Sequence, residues 1–237
     1  MKTFLTYVAA LLLVLGTSAI SQASGSKTSS GLSFGSSTPE EILDGAYQEI
    51  MHYDELGLDV PEDVYNFYFA CERLVHPEFY EGRHEQAGAL DQLDDTCPGT
   101  IIQGPGDPVG VGGGSFASYI NYGQTTTASN NCTYPNCRLG RDVVAELIVH
   151  EFGYIVITTT GSAFDTYLCI YQGACCGEEG SKKIAENNNN PDLCEGQRLA
   201  AGISDCFSPG TYWIVLDGAG PTARGSFALR VDFEPCD

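Results

Sequence analysis

Residues 211–217, TYWIVLD, and 226–233, SFALRVDF, decide the fold. In the second stretch Phe227, Leu229, Val231 and Phe233 alternate with Ala228, Arg230 and Asp232. In the first, Tyr212, Ile214 and Leu216 share one side. A period of two places such a set on one face of a strand, so each run reads as a strand with one buried face. Similar runs occur at 115–122, 142–149, 154–159, 164–171 and 197–203, separated by turn residues. Seven or so short strands without intervening helices predict an antiparallel β-sandwich over residues 97–237.

Upstream the period changes. Thr38-Pro39-Glu40-Glu41 has the form of a capping box with proline at the first helical position. Ile42, Leu43, Ala46 and Ile50 then recur at helical spacing. Pro61-Glu62-Asp63 opens a second helix with Val64, Tyr65, Tyr68, Cys71 and Leu74 on one face and Pro77 beyond its end. A third, weaker helical pattern runs from Gly82 to Leu93, and Asp107–Gly114 reads as a glycine-rich loop. Residues 38–96 are thus a small helical region and residues 24–37, rich in Ser and Gly, a linker. At the start, Lys2, the apolar run Phe4–Leu15 and Ser21-Gln22-Ala23 have the form of a signal peptide over residues 1–23. That run is shorter than the roughly 20 residues a membrane helix needs. The mature chain is expected to be secreted, extracellular or at the cell surface, without a membrane span.

The 237 residues carry 31 acidic and 11 basic side chains, a formal charge of −20. A balance of this sign argues against nucleic acid and against anionic membranes, which require clustered Lys or Arg. The acidity concentrates in residues 38–96, where 16 acids face only Arg73 and Arg83. This predicts acidic helix faces that either solubilise the region or dock a basic partner, the latter sensitive to salt. All ten cysteines lie beyond Ala23, and an even number in an exported chain reads as disulfides. Spacing does not fix connectivity; the local pairings it favours are Cys132–Cys137, and Cys175 or Cys176 with Cys194.

Three stretches carry a resemblance to a known family. They are Ser162-Ala163-Phe164-Asp165-Thr166-Tyr167-Leu168, then Pro209–Gly218, then Gly225-Ser226-Phe227-Ala228-Leu229-Arg230-Val231. With Gly123-Gln124-Thr125-Thr126 and Gly140-Arg141-Asp142-Val143-Val144 ahead of them, residues 97–236 resemble the bacterial pre-peptidase C-terminal domain. The resemblance implies a jelly-roll-like sandwich, so the predicted fold class is mainly β: an antiparallel jelly-roll-like β-sandwich preceded by a small α-helical region. It also implies a non-catalytic accessory module of secreted enzymes, some of which bind calcium or matrix polymers. Two departures stand out. Residues 1–96 do not read as a peptidase domain, and the family's frequent Asp-x-Asp appears as Ala163-Phe164-Asp165.

The chemistry of individual residues points the same way. His150-Glu151 begins like a zinc-protease motif, but the fifth position is Tyr154 and the segment alternates as a strand. The glycine run before Ser115 lacks the second glycine of a hydrolase elbow. Calcium takes six to eight oxygen ligands, and Asp165 together with Asn188, Asn190 and Asp192 of an Asn-rich loop supplies candidates. Tyr167 and Tyr171, alternating with Leu168 and Ile170, are candidate surface aromatics for a sugar or polymer. The function expected is a secreted, non-catalytic binding module for an extracellular polysaccharide or protein, assisted by calcium. The rival readings are a small carboxylate-dependent hydrolase and a structural or adhesive cell-surface component.

Overall fold

The computed structural model describes residues 37–80, 96–104, 118–132, 137, 140–234 and 236. The signal peptide, all but the last residue of the linker, the third helical pattern and the glycine loop lie outside the described residues. Residues Ser37–Asp237 form one compact unit.

Two helices open its described residues: α1 (Pro39–Glu55) and α2 (Glu62–Val75), followed by a short 3-10 turn, Pro77–Phe79. The capping box forms as the sequence dictates. The Glu41 amide donates to Thr38 Oγ1 at 3.2 Å, and the Thr38 amide to Glu41 Oε2 at 2.8 Å. Leu43, Ala46 and Ile50 form the buried stripe of α1, and Val64, Tyr65, Tyr68, Phe69, Cys71 and Glu72 that of α2. Leu74, expected on that stripe, is exposed instead.

Among the described residues nine strands follow: β1 (Thr100–Gln103), β2 (Ser118–Gln124), β3 (Val143–Val149), β4 (Gly153–Thr158), β5 (Thr166–Gln172), β6 (Lys182–Asn187), β7 (Gly202–Phe207), β8 (Gly210–Gly218) and β9 (Ser226–Glu234). They form a five-stranded sheet, β1-β3-β8-β5-β6, and a four-stranded sheet, β2-β9-β4-β7. All pairings are antiparallel except β1 with β3. The fold is therefore mainly β, with two sheets and two helices ahead of them. Between the sheets lie Ala145, Leu147, Leu168, Ile170, Ile214 and Leu216 from one side and Ile155, Ile157, Phe227, Leu229, Val231 and Phe233 from the other, all buried. Gly123 stands opposite Phe227 in the ladder, and a Cβ there would come within 2.5 Å of the ring. The position therefore needs glycine for close approach.

One expected strand is displaced. Residues 197–201 are not strand; β7 begins at Gly202. Leu199, Ala200 and Ala201 are buried because their loop packs inside the unit, with Thr159 and Thr166 bonding its backbone. Two strands escaped the pattern altogether. Strand β6, KKIAEN, is an edge strand whose charges mask its alternation, and β1 has only four residues.

Candidate functional site

Three surfaces of the unit have distinct chemistry; Tyr167 and Tyr171 fall on the first and Asp165 on the second, while Asn188, Asn190 and Asp192 lie in the loop after β6.

The first is the outer face of the five-stranded sheet. Register puts Val144, Val215, Trp213, Tyr167, Cys169 and Tyr171 on this side. Tyr167, Cys169, Tyr171, Val144 and Val215 are buried in one cluster with Cys132, Cys137, Cys175 and Cys176. Disulfides join Cys97 to Cys175 and Cys132 to Cys176, with Cα separations of 6.0 and 5.2 Å. They tie the segments before β1 and before β3 to the turn after β5, over the sheet. Tyr171 is therefore fully buried and Tyr167 is 8 % exposed, its hydroxyl donating to Glu186 at 2.7 Å. This corrects their reading as surface aromatics: outward register is not exposure when a cross-linked cover lies on the face. The local cysteine pairings are corrected as well. Cys132 joins Cys176 rather than Cys137, and Cys194 stands apart with its thiol on the Ala201 carbonyl. A third bridge, Cys206–Cys236, ties β7 to the segment after β9.

The second surface is the junction of the helices with the sandwich. Glu72 is 1 % exposed, yet Tyr68, Tyr80 and Gln197 all donate to its carboxylate, Tyr68 at 2.7 Å and Gln197 at 2.9 Å. Burial holds the carboxyl above the ordinary glutamate range even against these three donors. Gln197 also donates to the Ser162 carbonyl at 3.0 Å and accepts from the Gly161 amide at 2.6 Å, so one side chain links α2 to two sandwich loops. Tyr65 of α2 donates to Asp165 Oδ2 at 3.1 Å. Arg198 pairs with Asp44, and Arg224 with Glu62 at 2.9 Å. Two of the helical acids thus engage sandwich arginines.

These contacts place Asp165 against α2. Asn190 is folded into its own loop, its amide donating to the Gly202 carbonyl at 3.0 Å and its oxygen accepting from the Leu193 amide at 3.3 Å. Asp192 is exposed. The side-chain oxygens of Asn188 and Asn189 are enclosed without a hydrogen-bond partner among the described residues. His150 directly follows the last residue of β3, and Tyr154 lies on β4.

The third surface, which the sequence reading missed, is the outer face of the four-stranded sheet. In register, Tyr122 stands opposite Ala228, Ile120 opposite Arg230, Val156 opposite Asp232 and Tyr154 opposite Glu234. Ile120 is 42 % exposed, Arg230 is exposed, and Tyr122, Val156, Tyr154 and Asp232 are half-buried. Arg230 and Asp232 pair at 2.7 Å. The result is a diagonal: Tyr122 and Ile120 on β2, the ion pair on β9, then Val156 and Tyr154 on β4. From Ala228 to Glu234 along β9, and across two strand spacings, it spans roughly 22 Å by ordinary strand geometry. The signal was present in the alternation of Tyr154 and Val156 with inward Ile155 and Ile157.

No known family profile and no curated protein matches the chain. Among solved structures it is similar to the pre-peptidase C-terminal domain of a Bacillus anthracis collagenase, at 10% identity and a TM-score of 0.36, over 56% of this chain and 92% of that one. It is also similar to a periplasmic inhibitor of g-type lysozyme from Aeromonas hydrophila, at 11% identity and TM-score 0.32, over 57% and 98%. The Yersinia pseudotuberculosis-derived mitogen follows at 12% identity and TM-score 0.28, over 52% and 86%. These are distant likenesses of architecture alone.

Proposed function

We propose that this chain is an exported, non-catalytic binding module that holds an extended extracellular polysaccharide along the outer face of its four-stranded sheet. The observation that carries the proposal is the diagonal from Tyr122 to Tyr154. Half-buried tyrosines are fixed by packing yet leave ring surface available to the apolar face of a sugar. Arg230 and Asp232 lie between them and offer donors and acceptors to ring hydroxyls. An extended ligand suits a shallow site of this length better than a compact one, which would need a concave pocket. Export is supported by three disulfides, which fit a chain folded in an oxidising compartment. Binding rather than catalysis is supported by Glu72 and Asp165, two buried carboxylates whose hydrogen bonds fasten the helices to the sandwich.

Co-sedimentation with a panel of insoluble polysaccharides tests the reading. Retention of the wild type on at least one polymer, lost in Y122A/Y154A, is expected. Equal retention of both proteins would overturn the site.

Calcium is proposed as a structural ligand of the 187–192 loop. The support is the enclosed side-chain oxygens of Asn188 and Asn189 and the exposed carboxylate of Asp192, oxygen ligands of the kind calcium takes. A calorimetric titration without heat, and a melting temperature unmoved by calcium, would remove it.

A further inference from the structure

The cover on the five-stranded sheet contains two more cysteines. Cys137 lies in the segment between β2 and β3, and Cys169 lies in the middle of β5. Both are buried in the cluster that holds the Cys97–Cys175 and Cys132–Cys176 bridges. Cys137 and Cys169 are the two cysteines of that cluster that neither bridge uses, and the thiol of Cys169 acts directly on that of Cys137.

The arrangement of the existing bridges gives this contact its meaning. Cys175 and Cys176 lie in the turn after β5, so the two known bridges join one cover segment to another. Cys169 belongs to the sheet itself, opposite Val215 on β8 and Glu186 on β6. A bond from Cys137 would pin the cover directly onto the strand it hides.

We propose that Cys137 and Cys169 form a fourth disulfide in the exported protein. Two thiols each lose a proton and together give two electrons to a disulfide oxidant of the export compartment. One thiolate attacks that oxidant's disulfide, a mixed disulfide forms, and the second thiolate displaces the reduced oxidant. In the folded protein both thiols are shut away from solvent and from any oxidant. Closure therefore belongs to folding, while the segment around Cys137 is still accessible. Cys71 and Cys194, each buried at a separate place, remain thiols.

Differential alkylation of the full chain, secreted from an oxidising compartment, tests this. The protein is denatured without reductant and labelled with light iodoacetamide, then reduced, labelled with the heavy reagent and mapped by peptide sequencing. The heavy label on Cys137 and Cys169, with light label on Cys71 and Cys194, is expected. The light label on both Cys137 and Cys169 would overturn the proposal. The C137S variant fixes the pairing without requiring a stable fold. Cys169 should change from heavy to light, and a Cys169 that stays heavy has another partner and refutes the bridge.

Discussion

Replacing Gln197 by alanine probes the link between helices and sandwich most sharply. The side chain is 1 % exposed and serves four groups: Glu72 at 2.9 Å, the Ser162 carbonyl at 3.0 Å, Tyr80 at 3.3 Å and the Gly161 amide at 2.6 Å. Removing a hydrogen bond to a charged group costs about 1.5–3 kcal/mol and each neutral one about 0.5–1.5 kcal/mol, with the partners left enclosed. The loss of the carboxylate bond and two backbone bonds then comes to about 2.5–6 kcal/mol. For a unit of this size that lowers the melting temperature by roughly 10 °C. Differential scanning calorimetry reads the shift, and hydrogen exchange locates it. Amides of α2 should lose protection before those of β8 and β9. If Q197A melts within 2 °C of wild type, with α2 protection unchanged, the buried polar junction does not hold the helices.

Other consequences follow from the same geometry. Glu72 is held above its ordinary range, so the folded state binds more protons than the unfolded state as pH rises from the ordinary glutamate range. Its contribution therefore destabilises progressively with rising pH, and the stability gap between E72Q and wild type should shift in favour of E72Q from pH 4 to 7. A gap that moves the other way would refute this sign. Trp213, the sole tryptophan, packs against the cysteine-rich cover. Reducing the native bridges should therefore red-shift its emission, and unchanged emission after complete reduction would show that the cover stays closed without them. On the open face, Y122A/Y154A should stay folded, with only a small drop in melting temperature from lost cross-strand packing, and lose about tenfold or more in polymer affinity, since each ring contributes about 0.5–1.5 kcal/mol. By contrast, Y167A should fall in stability, because it empties a buried site and removes the bond to Glu186.

The parts of the fold that were legible are those in which one local rule decides. The Thr38 capping box and the alternation of Phe227, Leu229, Val231 and Phe233 need no knowledge of distant residues. The apolar run Leu199-Ala200-Ala201 misled because burial came from loop packing rather than from strand register. Tyr171 and Tyr154 show why the site was harder. Both are aromatics in outward register on a strand, and nothing in their neighbours distinguishes them. What separates them is a cover brought from elsewhere in the chain by Cys97 and Cys132, whose partners lie 78 and 44 residues away. Short spacing favoured Cys132–Cys137, whereas the folded sheet brings Cys176 to Cys132.

Hydroxyl-radical footprinting of the intact protein, free and bound to a polysaccharide that retains it, reads directly whether the ligand lies on the four-stranded sheet. Ile120, Tyr122 and Tyr154 should be oxidised in the free protein and protected in the complex, while Tyr167 and Tyr171 stay unmodified in both. Protection that falls on the acidic helices and spares Ile120, Tyr122 and Tyr154 would contradict the account.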